Sequence, residues 1–393
     1  MLNRRILRLK AMQALYALEQ AQRSNYQLAL DYIHQRFEPN LNSMVIPTAE
    51  SVAQKRKLGK ELFEANYQNE NLDAKSEFED VDEAVRDAMR TYDLQLQKER
   101  RLHKIDMIKK TEGILDDYFK LLKLLISLAD HSEAEYNSRR IRQYSKEMVY
   151  ESELHLTNNA LIKHLRTHQE LQEKLVGSNW ATENIKNWFK LLKEEEFYVT
   201  YLAIKKPTFE EDKEFIVSLT RDFIMQNEVL DDYFDENDIY WSENRSVLRN
   251  MVLKTVKNIE EENRDTGLSN KPVELYLLSR NWEDDKEFFE ELFQNTVNES
   301  LQNEKLISER LKNWDINRVA LTDTLILKMA ISEMMHCPSI PVKVTINEYV
   351  ELAKNYSTPK SKEFVNGILD TLSEYLVTEG QVKKSGRGLL DNQ

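Results

Sequence analysis

Turn-forming residues are scarce, with 8 glycines and 7 prolines in 393 positions, too few for the many hairpins of an extensive β-sheet. Beside abundant Leu, Glu, Lys, Asn and Gln, that scarcity predicts an almost wholly α-helical chain. Cys337 is the single cysteine, which excludes an internal disulfide and a cysteine-built zinc site and fits a reducing compartment. Long apolar runs are missing as well. The most apolar stretch, LLKLLISLA at 121–129, contains Lys123 and is about half a membrane span. No apolar segment of a secretory signal follows the basic N-terminal residues, so a soluble, cytoplasmic protein with no membrane partner is expected. Enzyme signatures are lacking too: there is no P-loop, GxGxxG, GxSxG or HExxH run. Of the 7 histidines only His164 and His168 stand four apart on a helix, and nothing nearby supplies a third and fourth zinc ligand. The runs Glu194 to Glu196 and Glu260 to Glu262 read as solvated charge. The expectation is a non-enzyme with no catalytic residues, no metal and no cofactor.

What is present is apolar material for a sizeable core, 41% of residues, and charge that is unevenly spread. The net charge of −13 argues against nucleic acid, since phosphates must be met by Lys and Arg. Yet residues 1–18 hold Arg4, Arg5, Arg8 and Lys10 and no acid, whereas 207–262 hold 15 acids against 6 basic residues. An acidic body with a short basic end suits a protein that touches RNA locally and also receives a basic protein partner.

Apolar periodicity predicts a first helix over about 4–22, with Leu7, Ala11, Ala14 and Leu18 on one stripe. Pro39 and Pro47 make 25–58 a broken helix and loop. Over 76–130 only Gly113 interrupts, which predicts one or two long helices, as in a protruding hairpin; the mixed charges of KERRLHKIDMIKK at 98–110 read as a solvated face. Helical material continues over 139–172 and 180–203 and stops near Pro207. The chain also echoes itself at an offset of 73 residues: EDKEF at 211–215 with DDKEF at 284–288, Trp241 and Arg245 with Trp314 and Arg318, Leu219 with Leu292. Duplication of one unit is the simplest account, with chance agreement of helical patterns as its competitor. The shared spacing suggests that each Arg packs on its Trp for structural reasons.

Near the C-terminus, Val342 and Val344 are expected to be extended. Thr345 and Glu348 read as a capping box ahead of a short helix, and Thr358 with Pro359 as a second helix start. Gly367 lies inside that second helix, where it costs about 1 kcal/mol relative to alanine, so a close helix approach is expected there. Phe364 and Leu369 are expected core residues.

Several of these segments resemble the NusB family. RR-x-x-R at 4–8 and AMQALY at 11–16 resemble its arginine-rich first helix. FFEELFQNTV (288–297), WDINR (314–318), LILKMAISEM (325–334), PVKVTINEYVELAKNYS (341–357) and SKEFVNGILD (361–370) follow in the family's order. The resemblance covers about 110 to 120 residues, and INE-x-VELAK with FVNG-x-LD is its most specific part. It implies the NusB helical fold, binding of boxA-type RNA, and partnership with the ribosomal protein NusE within the transcription elongation complex. This sequence departs from the pattern at Ile6, where a further basic residue is common, and at Lys328, which replaces the usual arginine. It also has about 250 residues between the first helix and the core. A NusB-like domain occurs fused to RNA cytosine methyltransferases, but neither a glycine-rich cofactor loop nor a catalytic cysteine pair follows here.

The expected architecture is therefore an all-α, NusB-like helical bundle with an additional helical insertion: first helix 1–22, insertion 23–271 with a pseudo-repeat at 210–262, core 272–378, and a flexible tail 379–393. Arg4, Arg5 and Arg8 project within roughly 100° of helical arc and are the first-choice contacts to phosphates or unpaired bases. Lys10, Gln13 and Tyr16 continue that helix, Tyr16 offering a ring to stack or pack. Lys354, Lys360 and Ser361 bracket a turn able to receive a phosphate oxygen, and Asn366 is placed to read a base edge or to satisfy backbone groups. The alternative reading is a protein–protein adaptor with little RNA affinity that works through its acidic insertion.

Overall fold

The computed structural model describes residues 2–39, 47–68, 74–141, 150–177, 179–261, 274–311 and 318–392. The described residues form helices and no strand. In chain order these are α1 (Arg4–Arg36), α2 (Ala49–Gln68), α3 (Glu79–Ile141), α4 (His155–Asn158), α5 (Ala160–Thr167), α6 (Gln169–Lys174), α7 (Thr182–Leu192), α8 (Glu196–Ala203), α9 (Phe209–Ser218), α10 (Glu228–Asn237), α11 (Trp241–Asn258), α12 (Trp282–Asn298), α13 (Ser300–Ser308), α14 (Leu321–His336), α15 (Val342–Tyr356) and α16 (Ser361–Thr378). They divide into two compact units, one of residues 1–3 and 110–282, the other of 4–109 and 283–393. The insertion expected at 23–271 is thus not one body: 23–109 belongs with the C-terminal helices, and 110–271 belongs to the other unit.

Within the second unit, α14, α15 and α16 pack on one another and α1 lies against α14. The helix α1 runs for 33 residues, well past the end predicted near residue 22, because its two halves serve different partners. Leu7, Ala11, Leu15 and Leu18 are buried along its first half. Ala29 and Ile33 on its second half join Leu62 and Phe63 of α2 and Val81, Val85, Ala88 and Tyr92 of α3 in a separate cluster. Gly59 is what lets α2 come so near: a Cβ there would sit 2.7 Å from Ile33 Cγ2. Gly113 breaks nothing: of the one or two long helices expected, α3 is a single helix of 63 residues and not a hairpin.

The other unit buries Leu122, Leu124, Leu125 and Leu128 of α3, so the most apolar stretch of the sequence is core. Its polar node is local and fully bonded. Asn159 caps α5 by accepting from the Leu161 amide at 2.9 Å, the Tyr201 hydroxyl donates to Asp212 Oδ1 at 2.6 Å, and Asp212 Oδ2 accepts from the Ala160 amide at 2.7 Å. Burial raises the Asp212 carboxyl above the usual range despite these donors. Trp241 and Arg245 do not stack; both donate to Asp231, at 2.7 and 2.6 Å. Trp314, their expected counterpart, lies outside the described residues, while Phe209 and Trp282, 73 apart, each begin a helix.

Four local expectations at the C-terminus need correction. The helix α15 starts at Val342, one turn before the expected capping box, so Thr345 is an interior helical residue and its hydroxyl donates sideways to Glu333 Oε1 at 2.8 Å. The next helix starts at Ser361, with Thr358 and Pro359 in the turn before it. Gly367 faces solvent, and a Cβ there would meet nothing within 4 Å, so no close helix approach requires it. Beyond α16, the expected flexible tail is hydrogen-bonded to the turn after α14: the Ser385 amide donates to Pro338 O at 3.0 Å, and Lys384 Nζ to Cys337 O at 3.0 Å.

Candidate nucleic-acid interface

The arginines of α1 are placed by the acids of the helices they face. Arg4 Nε donates to Asp285 Oδ1 at 3.1 Å, and its guanidinium lies 4.7 Å from the centre of the Phe288 ring. Arg5 forms a two-pronged pair with Glu348 at 2.9 and 2.8 Å while its side chain stays half exposed. Arg8 is buried. It grips Glu333 at 2.6 and 2.8 Å, both side chains being almost wholly withdrawn from water.

Glu333 is the hub of this arrangement, for it also accepts from the Thr345 hydroxyl and from the Tyr349 hydroxyl at 3.1 Å. Four donors to one carboxylate are what allows a charge to exist in such a place. Burial opposes the Arg8 charge, but the Glu333 hydrogen bonds and charge outweigh it and hold the guanidinium pKa above its usual value. Burial and the same carboxylate push the Tyr349 hydroxyl well up, and they raise the Cys337 thiol to about 12. Conversely, the hydrogen bond from Arg5 lowers the Glu348 carboxyl.

The remaining expected contacts separate by exposure. Lys10 and Ser361 are buried; Ser361 Oγ donates to Asp323 Oδ2 at 2.6 Å, so its hydroxyl faces inward and does not form the expected phosphate site. Arg8 is corrected likewise, from a solvent-facing clamp to an internal tie. Gln13 is half-buried, and Tyr16 is 44% exposed. Lys354 is exposed and pairs with Glu351 at 3.3 Å, Lys360 is exposed, and Asn366 is exposed with its amide on Asp370. The outward set is therefore Arg4, Arg5, Tyr16, Lys354, Lys360 and Asn366. Sequence reasoning missed Glu333, Glu348 and Asp285 as the partners of the arginines. The one available signal was an acid, Glu333, inside the largely apolar run LILKMAISEM, whose only other charge is Lys328.

A cleft of about 950 Å³ opens in the same unit, lined from α1, α2, α3 and α12 to α14. Lys75, Arg86, Arg100 and Lys328 share its wall with Glu19, Asp82 and Asp93, which leaves it little charge bias. Lys328, where the family usually has arginine, reaches Ser300 Oγ at 3.0 Å and Glu304 at 2.6 Å. No group of three or more His, Cys, Asp or Glu is arranged to hold a metal among the described residues, and no helix there is long and apolar enough to cross a membrane.

Comparison with known proteins covers most of the C-terminal helices of this unit and α11 of the other. The NusB family model matches residues 246–374. A transcription antitermination protein NusB of Salinibacter ruber is 34% identical over 146 residues, which are 36% of this chain and 88% of that relative. The chain belongs to the NusB family. A second NusB, from Chloroherpeton thalassium, is 44% identical over 98 residues, 25% of this chain and 46% of its own length. The solved structure of T. maritima NusB is 23% identical, with a TM-score of 0.23, over 44% of this chain and 93% of that one. The NusB match contains Asp285, Glu333 and Glu348, so the acceptors that seize the α1 arginines lie within the family segment.

Proposed function

We propose that this protein is a non-enzymatic transcription antitermination factor that binds boxA-type single-stranded RNA of ribosomal RNA transcripts, jointly with the ribosomal protein NusE. Membership of the NusB family is the observation that carries this reading. Exposure favours a subset of the expected residues for it. Arg8 holds α1 to the bundle, and Arg4 and Arg5 present what remains of their guanidiniums at its outer face, with Tyr16 farther along, Lys354 on α15 and Lys360 in the turn before α16. Two modest interfaces, RNA and NusE, reinforce each other through effective concentration.

Fluorescence anisotropy of a labelled boxA-type RNA, titrated with the protein alone and with NusE at two salt concentrations, tests the reading. Salt-sensitive binding strengthened by NusE is expected, and absence of binding by folded protein under both conditions refutes it. Arg5→Ala is the cleanest variant, because Arg5 is the most exposed of the three arginines and its loss leaves the buried tie intact. An adaptor role is the second reading, favoured by α10, whose sequence EVLDDYFDEN has five acids and no basic residue. Deleting 110–271 should then remove a basic partner in pulldown.

A further inference from the structure

The buried face of α3 in the second unit is Val81, Ala84, Val85, Ala88 and Tyr92. An exposed face beside it carries Arg90, Leu94, Lys98, Arg101, Leu102, Ile105 and Lys109, and at 100° per residue these fall within roughly 120° of arc over roughly 28 Å of helix. Four are cations, three are large aliphatics, and the acids of this stretch, Asp93, Glu99 and Asp106, project elsewhere around the helix. Leu94, Leu102 and Ile105 are 59%, 45% and 48% exposed. None of the four cations makes an ion pair or hydrogen bond to any described residue, whereas Lys104, on the flank of the same helix, is taken by Glu290 at 3.0 Å.

A solvated face has no need of three aliphatic side chains at helical spacing, and a chain of net charge −13 gains nothing in solubility from four aligned cations. We propose that this stripe of α3 is a docking surface for an acidic amphipathic helix of a partner protein. Leu94, Leu102 and Ile105 receive the partner's apolar residues, as in paired amphipathic helices, while Arg90 and Arg101 on one side of the stripe and Lys98 and Lys109 between Ile105 and Leu102 pair with its carboxylates. Single-stranded RNA fits less well: Arg90 and Arg101 offer guanidinium planes to unpaired bases, but the stripe has no aromatic ring and RNA leaves Leu94, Leu102 and Ile105 without an apolar partner. A lipid surface needs a broader apolar face than three residues provide. The same stripe of a second copy is repelled by like charge.

The test uses the full-length protein and a labelled 21-residue helical peptide with leucines at positions a and d and glutamates at e and g. Controls are a scrambled peptide of the same composition, a single-stranded RNA of 12 nucleotides, and phosphatidylserine vesicles. The seam peptide is expected to bind at least tenfold more tightly than the scrambled one. At least a tenfold loss is expected both in R90E/K98E/R101E/K109E and in L94S/L102S/I105S, with helicity by circular dichroism unchanged. Equal binding of seam and scrambled peptides, or none of either, overturns the proposal. So does RNA or vesicle binding that the charge reversals abolish and the serine substitutions spare. Self-association of the wild type that both variants remove assigns the stripe to a second copy and overturns it as well.

Discussion

Two sets of cations in the same compact unit have opposite fates. Arg4, Arg5 and Arg8 of α1 are each claimed by a carboxylate, and Arg8 is withdrawn from water altogether. Arg90, Lys98, Arg101 and Lys109 of α3 stand exposed without a described partner. Both segments are basic in sequence, and only the helices packed against α1 bring acids within reach. A basic motif is thus evidence of a cationic surface only after its neighbours are known.

The sharpest way to break this comparison is to remove one partner of the buried pair. Glu333→Gln or Arg8→Met should destabilise the unit by about 3–5 kcal/mol, because the remaining charge is left buried and unpaired; urea unfolding measures it. The double variant Arg8→Met with Glu333→Met should recover much of that loss. By contrast, Lys98→Ala or Arg101→Ala should change stability by less than about 0.5 kcal/mol. Equal costs for the two sets would refute the distinction.

The glycines sharpen it next. Gly59→Ala should cost about 1–3 kcal/mol, as overpacking against Ile33 does, and a neutral result would mean that α1 and α2 are not held so close. Gly367→Ala should stabilise by up to about 1 kcal/mol. The smallest effect belongs to the half-exposed pair of Arg5 and Glu348. The Glu348 carboxyl is lowered in the folded protein, so its contribution is present above the ordinary carboxylate pKa of 4.5 and is lost as pH falls through the lowered value. The stability difference between wild type and Glu348→Gln should shrink toward zero in acid, and a difference that grows there would reverse the sign. Screening by water keeps this pair within about 1 kcal/mol.

Helical class, the apolar stripe of Leu7, Ala11 and Leu18, and the family were legible in the residues, since periodicity and order of motifs are properties of the chain itself. Helix boundaries were less so: α1 continues past the predicted end because Ala29 and Ile33 find a second cluster, and α15 begins early because Thr345 is wanted by Glu333. The candidate site divided in the same way. That Arg4, Arg5 and Arg8 share one side of a helix follows from spacing alone. Which of them faces solvent does not, because it depends on Asp285, Glu333 and Glu348, some 280 to 340 positions away.

By itself, then, the sequence determined the helices, their apolar faces and the local density of charge, all of which arise within a few turns of chain. Only tertiary structure decided which charges are neutralised and which remain outward, that Gly59 is pressed and Gly367 is open, and that 23–109 joins the C-terminal helices. The reason is physical: ion pairing and close packing act over a few ångströms, and folding sets those distances between residues that are remote along the chain.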